Sequence, residues 1–195
     1  KDKVILTSGA RPGDAIVLTK GIAVEGAALL AREASEQLRE AGVAPDLIER
    51  SAQLLFNPGI SVVKDAAIVC ETAEVHSMHD PTEGGLATAL LELAEGAGVG
   101  LTIDVDQVNV LPECSAICKA LDLDPMGLIG SGALLATVAP ESVQGLLSAL
   151  ADEGISAREI GTITSADEGL KVRSGDGVGE LPRFERDELA RFFGR

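Results

Sequence analysis

Short β-branched segments alternate with amphipathic helical segments along this chain, and this alternation constrains the fold more than any other feature of the sequence. In the last third, the apolar run Ala133–Val138 suits a central strand, a helix begins at Pro140, and strands follow at Ala157–Ile163 and Gly169–Arg173. Strands that are separated by helices pack most economically as one sheet covered by helices. The sequence therefore predicts an α+β fold in which helices cover a mixed β-sheet.

The same periodicities predict elements in the first two thirds of the chain. Lys3–Thr7 and Asp14–Leu18 are predicted to be strands, and Gly21–Ala41 is predicted to be one long amphipathic helix. No internal repeat or interdomain linker interrupts the pattern, so we expect residues 1–195 to form a single domain. The other predicted elements are helices over 46–55 and 61–72, strands over 75–78 and 99–105, helices beginning at Asp80 and Pro112, and a short helix over 186–193.

The composition indicates how this domain is packed and which partners it excludes. The chain has no Trp or Tyr and only four Phe, so Leu, Val, Ile and Ala must fill the core. Its formal net charge of −15 argues against nucleic acid, because binding to a phosphate backbone is driven by Lys and Arg. It contains neither an apolar run of about 18 residues nor a secretion-type leader. We therefore expect no membrane partner and a cytoplasmic location.

The three cysteines are predicted to be reduced and buried. Cys70, Cys114 and Cys118 each lie within a helical apolar pattern, and their odd number does not favour disulfides. The four-residue spacing of Cys114 and Cys118 places them on one helix face with Ile117 and Leu121. Core packing explains this spacing, so no metal site is predicted.

The segment from His76 to Leu86 is the most informative part of the sequence. Asp80, Pro81 and Glu83 fit the positions of a capping box that opens a helix. Capping does not explain Gly84-Gly85, since each Gly within a helix costs roughly 0.5–1 kcal/mol relative to Ala. A glycine-rich helix start that follows a strand presents free N–H groups to an anion. The predicted phosphate-binding residues are Asp80, Thr82, Glu83, Gly84 and Gly85, and we expect Gly85→Val to abolish binding while leaving the fold intact.

A second junction between a strand and a helix lies at Lys20-Gly21. The ammonium group of Lys20 is placed where it could meet a phosphate, and Glu25 follows about one helical turn later. A surface lysine before an ordinary helix start explains the same three residues, so both interpretations stay open.

Two further positions are candidates for the same cleft. Ser131, between two glycines, is either a loop donor to a phosphate or part of a simple turn. His79 is next to Asp80 and could face the cleft. His76 and His79 are expected on opposite sides of their strand, so we predict no metal shared between them.

The segment Asp80-Pro81-Thr82-Glu83-Gly84-Gly85-Leu86, followed by Val99-Gly100-Leu101, resembles a D-x-T-x-G-G-L motif. This motif belongs to the C-terminal domain shared by aminoimidazole-ribonucleotide (AIR) synthetase, formylglycinamidine ribonucleotide synthetase, selenophosphate synthetase and the hydrogenase maturation protein that dehydrates a cysteine-bound carboxamide. Met78-His79-Asp80-Pro81-Thr82 is most similar to the last of these. The similarity extends to Ala10–Asp14 and Leu123–Pro125, and so spans nearly the whole chain.

The resemblance implies a function as well as a partly ferredoxin-like α/β/α fold. It implies the substrate-side domain of an ATP-dependent enzyme that activates an amide-type oxygen by phosphorylation. ATP and Mg²⁺ would be held mainly by an N-terminal domain that is absent from this chain. The implied partners are that N-terminal domain, a second copy in a homodimer, and a small-molecule or protein-bound substrate.

Three departures from the maturation family support an alternative. This chain has no cysteine after Cys118, whereas that family ends in a tail that carries a cysteine. Gly130-Ser131-Gly132 lacks the acidic residue that the family places before the glycine, and Lys20–Gly26 lacks the family's histidine. The alternative function is a noncatalytic domain that binds a phosphorylated metabolite or acts as a scaffold.

Overall fold

The computed structural model describes residues 4–194, in which seven strands form one mixed sheet. The strand order is β2-β4-β1-β5-β3-β6-β7; β3 and β6 are parallel, and the other neighbours are antiparallel. The strands are β1 (Ala15–Thr19), β2 (Val75–His79), β3 (Gly100–Asp104), β4 (Leu135–Val138), β5 (Ala157–Thr164), β6 (Leu170–Ser174) and β7 (Gly177–Glu180). The helices are α1 (Val24–Glu33), α2 (Ser35–Glu40), α3 (Pro45–Ala52), α4 (Val63–Thr72), α5 (Gly85–Ala97), α6 (Pro112–Leu121), α7 (Val143–Asp152) and α8 (Glu188–Phe193).

Helices cover both faces of the sheet. Because side chains alternate along a strand, Ile16 and Leu18 of β1 face one side, and Ala15 and Val17 face the other. The first pair belongs to a buried cluster with the apolar stripe of α5, and the second pair belongs to a cluster with α4 and α7. This arrangement confirms the predicted α+β fold with a mixed sheet between helical layers.

A third buried cluster is formed by helices α1, α2, α3, α6 and α8 beyond the end of β1. Small residues on α1 allow close packing, since Ala27 and Ala28 are fully buried against this cluster. Gly26 contributes to the same closeness, because a side chain there would overlap the isobutyl group of Leu128. A core of small aliphatic residues is therefore what the composition predicted.

Most predicted elements lie within a few residues of the observed ones, but two predictions at the start of the chain were wrong. Residues 4–6 form no strand, and Thr7–Gly9 is a 3₁₀ turn that covers the edge of β2, where Thr7 Oγ1 donates to the Met78 carbonyl at 3.3 Å. Lys3 lies outside the described residues. The predicted helix over 21–41 is two helices, because the backbone bends at Ala34 (φ −121°, ψ 28°) and returns Leu38 to the core.

One strand was missed by the sequence analysis. All four residues of β7 are exposed, so they show no alternation between apolar and polar residues. The strand is recognised only through its pairing with β6. None of the helices in the described part of the chain is long and apolar enough to span a membrane.

The cysteines differ in exposure. Cys114 and Cys118 are buried on one face of α6, as predicted, and all three cysteines are free thiols. Burial raises the pKa of both thiols to about 12, since the thiolate would lose its hydration. The prediction for Cys70 was wrong, because it lies on the exposed face of α4 while Asp65 and Val69 face inward.

We predict that only Cys70 reacts quickly with a thiol reagent at neutral pH in the folded protein. Cys114 and Cys118 are shielded and carry almost no thiolate at that pH. Counting thiols with a chromogenic disulfide reagent should give one fast thiol in the unmodified chain and none in Cys70→Ser. Fast labelling of Cys70→Ser without denaturant would show that α6 does not bury its cysteines.

Candidate functional site

Three loops meet at one end of the sheet because of how β4 pairs. Since β1 and β2 are both antiparallel to β4, the loops that follow β1 and β2 lie beside the loop that precedes β4. The Gly130 N–H donates to the Thr82 carbonyl at 3.2 Å, and the Gly26 N–H donates to the Ile129 carbonyl at 3.2 Å. The structure therefore brings together the predicted site residues near Lys20, Asp80 and Ser131.

The glycine motif has a different backbone from the one predicted. Helix α5 begins at Gly85, with Gly84 as its N-cap residue, and not at Asp80. Both glycines have positive φ angles, 76° and 64°, which side-chain-bearing residues rarely adopt. A regular helical turn from Pro81 is incompatible with these angles. The predicted capping box is therefore wrong, and the side chains of Asp80, Thr82 and Glu83 are exposed.

Gly85 also packs closely against the backbone. A Cβ atom at this position would lie 2.6 Å from the Met126 carbonyl oxygen and 2.7 Å from that of Leu128. The expectation that Gly85→Val leaves the fold intact was therefore wrong, because valine would push the 126–128 segment away. The glycine serves packing in addition to any role in ligand binding.

A backbone donor of the motif, the Gly84 N–H, already has a partner within the chain. The Gly84 N–H donates to Asp187 Oδ2 at 2.6 Å, and Asp187 Oδ1 accepts from the Leu189 N–H at 2.7 Å. Asp187 is thus the N-cap of α8 and also a ligand of the loop before α5. Sequence analysis missed this residue, since an N-cap pattern shows only the local contact and Asp187 lies 103 positions from Gly84.

Lys20 points into the protein. It is 8% exposed with φ of 56°, and its Nζ donates to the Ser61 carbonyl at 2.7 Å and lies 3.2 Å from Asp65 Oδ2. Asp65 Oδ1 accepts from Thr19 Oγ1 at 2.7 Å, and Thr19 Oγ1 accepts from the Leu134 N–H at 3.0 Å. This network ties the end of β1 to the start of β4. Contact between Lys20 and a phosphate stays a prediction.

Asp65 is a second residue that sequence analysis missed. Its signal is a carboxylate at an inward-facing position of α4, and it is 1% exposed. A buried carboxylate needs a charged or hydrogen-bonding partner, and Lys20 and Thr19 provide both. Gly21 lies beside this network, where a side chain would overlap the Asn109 carbonyl.

The remaining predicted residues have distinct surroundings. Glu25 is partly buried, and its Oε2 atom is enclosed without a hydrogen-bond partner in residues 4–194. Ser131 is partly exposed beside Gly130. His79 Nε2 lies 2.9 Å from Glu92 Oε2, whereas His76 Nδ1 lies 2.8 Å from Asp14 Oδ1, so the two histidines have different partners. The described residues contain no group of three or more His, Cys, Asp or Glu that could hold a metal ion.

A cleft of about 570 Å³ opens beside the glycine motif, between the start of α5 and the segment before α8. Gly84, Thr88 and Ile129 line one side, and Phe184 and Arg186 line the other. Backbone N–H groups at the start of a helix of 13 residues can hold an anion, and exposed hydroxyl and carboxylate groups beside them can orient a polar substrate. Binding of a phosphorylated molecule in this cleft stays a prediction.

Comparison with known proteins identifies the family. Residues 11–173 match the family described as AIR synthase related protein, C-terminal domain. The chain therefore belongs to this family.

Several individual proteins are similar to the chain. Carbamoyl dehydratase HypE of Rhizobium leguminosarum bv. viciae is 32% identical over 163 residues, which cover 83% of this chain and 43% of that protein. A putative hydrogenase expression/formation protein of Methanocaldococcus jannaschii is 32% identical over 181 residues, covering 89% and 49%. The hydrogenase maturation protein HypE in complex with ATP has a similar fold, with a TM-score of 0.68 at 22% identity, over 95% of this chain and 55% of that one. The chain spans about half the length of these relatives.

We predict that the buried pair of Lys20 and Asp65 is required for a stable fold around the site. Asp65→Ala leaves the buried Lys20 ammonium without its carboxylate, and Lys20→Met leaves the buried Asp65 carboxylate without its ammonium. Each substitution should therefore lower the free energy of unfolding by about 3–5 kcal/mol. Urea denaturation followed by circular dichroism would measure this loss. The double variant Lys20→Met/Asp65→Leu should lose less than the sum of the two single changes.

Glu153→Ala is the matched control, since it breaks the exposed pair with Lys64 and should leave the unfolding midpoint almost unchanged. A loss at Asp65→Ala no larger than in this control would mean that the buried network does not hold the loops.

Proposed function

We propose that this domain supplies the substrate side of the active site of an ATP-dependent enzyme that phosphorylates an amide-type oxygen during hydrogenase maturation. The single observation that carries the proposal is the convergence of the loops that follow β1 and β2 with the loop that precedes β4, two of which contribute Glu83, Gly84 and Ile129 to the cleft at the start of α5. Similarity to carbamoyl dehydratase HypE over 83% of the chain supports the reaction class. The HypE structure solved with ATP supports the nucleotide.

In this reaction, the amide oxygen attacks the γ-phosphorus of ATP, an O–P bond forms, and the bond from phosphorus to the oxygen of ADP breaks. The phosphorylated oxygen is then a better leaving group than the original one. The Gly84 N–H would stabilise negative charge on the transferred phosphoryl group only after it leaves Asp187, and the Gly85 N–H already donates to the Thr82 carbonyl at 3.1 Å, so the positive end of the α5 dipole would supply the rest of the stabilisation. The hydroxyl of Thr82 and the carboxylate of Asp80 would orient the amide.

The described residues fit only part of a magnesium site. Asp80 and Glu83 are exposed oxygen ligands of the type that Mg²⁺ prefers, but no third carboxylate joins them in residues 4–194. When bound, the ion would neutralise charge on the nucleotide phosphates. We propose that most of its ligands come from an N-terminal domain of the whole protein. The other proposed partners of this domain are a second copy of the chain and the substrate. A cytoplasmic location stays a prediction.

A noncatalytic domain that binds a phosphorylated metabolite is the alternative function. The observation that favours it is the loop Gly130-Ser131-Gly132, which lacks the acidic residue that the maturation family places before the glycine. The two functions differ in one respect that can be measured. An enzyme loses turnover when Asp80 or Thr82 is changed, whereas a binding domain has no turnover to lose.

We predict that Thr82→Val and Asp80→Asn lower the turnover of the protein that includes the N-terminal domain by on the order of 100-fold each. Both substitutions keep the shape of an exposed side chain and remove one polar function, so the fold should persist. Steady-state release of ADP and phosphate in the presence of an amide substrate is the measurement.

Thr72→Val is the matched control, because Thr72 is exposed on α4 and bonds only to the Ile68 carbonyl in its own helix. It should keep full turnover. Unchanged turnover in Thr82→Val and Asp80→Asn would remove the catalytic assignment of this loop.

We predict that the isolated 195-residue chain does not hydrolyse ATP at a measurable rate. The part of the chain that the structure describes has no group of carboxylates that could hold the metal of a nucleotide. A coupled assay for ADP release, run on the chain alone and on the protein that includes the N-terminal domain, tests this. Turnover by the chain alone that equals that of the longer protein would refute it.

A further inference from the structure

We propose that a cavity between the end of β1, the start of β5 and the segment before α6 binds a small organic acid, whose carboxylate pairs with Arg158. The cavity has a volume of about 250 Å³. It shares no lining residue with the cleft at the start of α5. The site goes beyond the proposed function and does not depend on it.

One wall of the cavity is apolar. Leu18 of β1 and Arg158 of β5 are paired across the two strands, so their side chains lie on the same face of the sheet. Leu18 and Ile160 belong to the buried cluster that this face shares with α5. An apolar wall beside a charged group is suited to a ligand with a short hydrocarbon part and one charged end.

Arg158 supplies the charged side of the cavity. It is exposed, and it forms no hydrogen bond or ion pair within residues 4–194. Its guanidinium carries five N–H donors in a planar fork that matches the two oxygens of a carboxylate. Lys20 also lines the cavity, but its ammonium is already neutralised, since it lies 3.2 Å from Asp65 Oδ2. Arg158 is therefore the cation that an incoming carboxylate would meet.

The lining of the cavity carries no carboxylate of its own. The whole chain has 31 acidic and 16 basic side chains, yet none of the described residues around this cavity is Asp or Glu. Four carboxylates, by contrast, line the cleft at the start of α5. Salt screens charges more than about 8 Å away at physiological ionic strength. The local charge of this cavity therefore favours an anion within an otherwise acidic chain.

The neutral polar groups and the size of the cavity narrow the class of ligand further. Gln107 is exposed, and its side-chain amide has no partner in the described part of the chain, so it can donate to a second oxygen of the ligand. Pockets for drug-sized ligands have volumes of about 300–1,000 Å³. This smaller cavity therefore fits an acid of a few carbon atoms.

The backbone beside the cavity adopts a conformation that needs support. Lys20 has a φ of 56°, in the left-handed region that side-chain-bearing residues rarely adopt. Asn109 Nδ2 and Ser156 Oγ, from two residues that line the cavity, both donate to the Lys20 carbonyl. Such backbone conformations cluster at ligand sites. A ligand in contact with Asn109 and Ser156 should therefore change the surroundings of the next amide, that of Gly21.

The test uses the 195-residue chain and three acids of increasing size: acetate, butyrate and benzoate. Each acid is compared with the amide of the same carbon skeleton, which keeps the shape of the acid without its charge. Binding is followed at constant pH and ionic strength in ¹⁵N-correlated spectra, by the resonances of the Arg158 guanidinium, the Gln107 side-chain amide and the Gly21 backbone amide. We expect saturable shifts with at least one acid, at concentrations about tenfold lower than with its amide, or lower still.

Two substitutions at Arg158 separate its charge from its shape. Arg158→Gln removes the charge-assisted hydrogen bonds and should weaken binding of the acid by about tenfold or more. Arg158→Lys keeps the charge without the planar fork and should weaken binding by a smaller factor. Arg39→Gln is the matched control, because it removes the same charge from an exposed position on α2, and it should bind like the unmodified chain.

Each contrary result overturns a defined part of the proposal. Equal binding of acid and amide, or full affinity in Arg158→Gln, would overturn the role of Arg158. An equal loss of affinity in Arg39→Gln would show that net charge, and not this cavity, controls binding. Absence of a saturable shift with all three acids would overturn the site, and tighter binding of inorganic phosphate than of every acid would overturn the class of ligand. None of these results would affect the proposed function, because the cavity and the cleft share no lining residue.

Discussion

The pairing of β4 between β1 and β2 is the constraint on which the site depends. Both neighbours run antiparallel to β4, so the junctions after β1 and β2 must lie beside the loop that enters β4. Two backbone hydrogen bonds, from Gly130 to Thr82 and from Gly26 to Ile129, then fix the three loops against one another. A change in the register of β4 would move all of them together.

Much of the fold could be predicted because its signals are local. The alternation in β3 and the apolar stripes of α5 and α6 follow from the spacing of residues a few positions apart. The start of α5 could not be predicted in the same way, because two local signals compete. The capping-box pattern at Asp80 favours a helix from Pro81, whereas the pair Gly84-Gly85 permits the positive φ angles that the structure shows. The close approach of Met126 and Leu128 decides between them, and that contact is tertiary.

The site shows the same division between local and distant information. The pair of glycines predicted that the loop at Asp80 belongs to the site, and a strand followed by a lysine predicted the same for the loop at Lys20. The direction of the Lys20 side chain depends on Asp65, 45 positions away in the sequence, which draws the ammonium group inward. The contact between Asp187 and Gly84 could not be predicted for the same reason, because it leaves no sequence pattern near either residue.

The charge of the chain limits which ligands the phosphate site that we propose could bind. With a formal net charge of −15, the protein repels a free anion, and the exposed carboxylates of Asp80 and Glu83 add to this repulsion locally. Backbone donors that glycine holds at positive φ act only at contact distance and favour an oxyanion of the right shape. Glu92, Glu185 and Asp187 also line the cleft, and Asp187 accepts from the Gly84 N–H, so a phosphate would have to arrive with its own cation to bind at the proposed site.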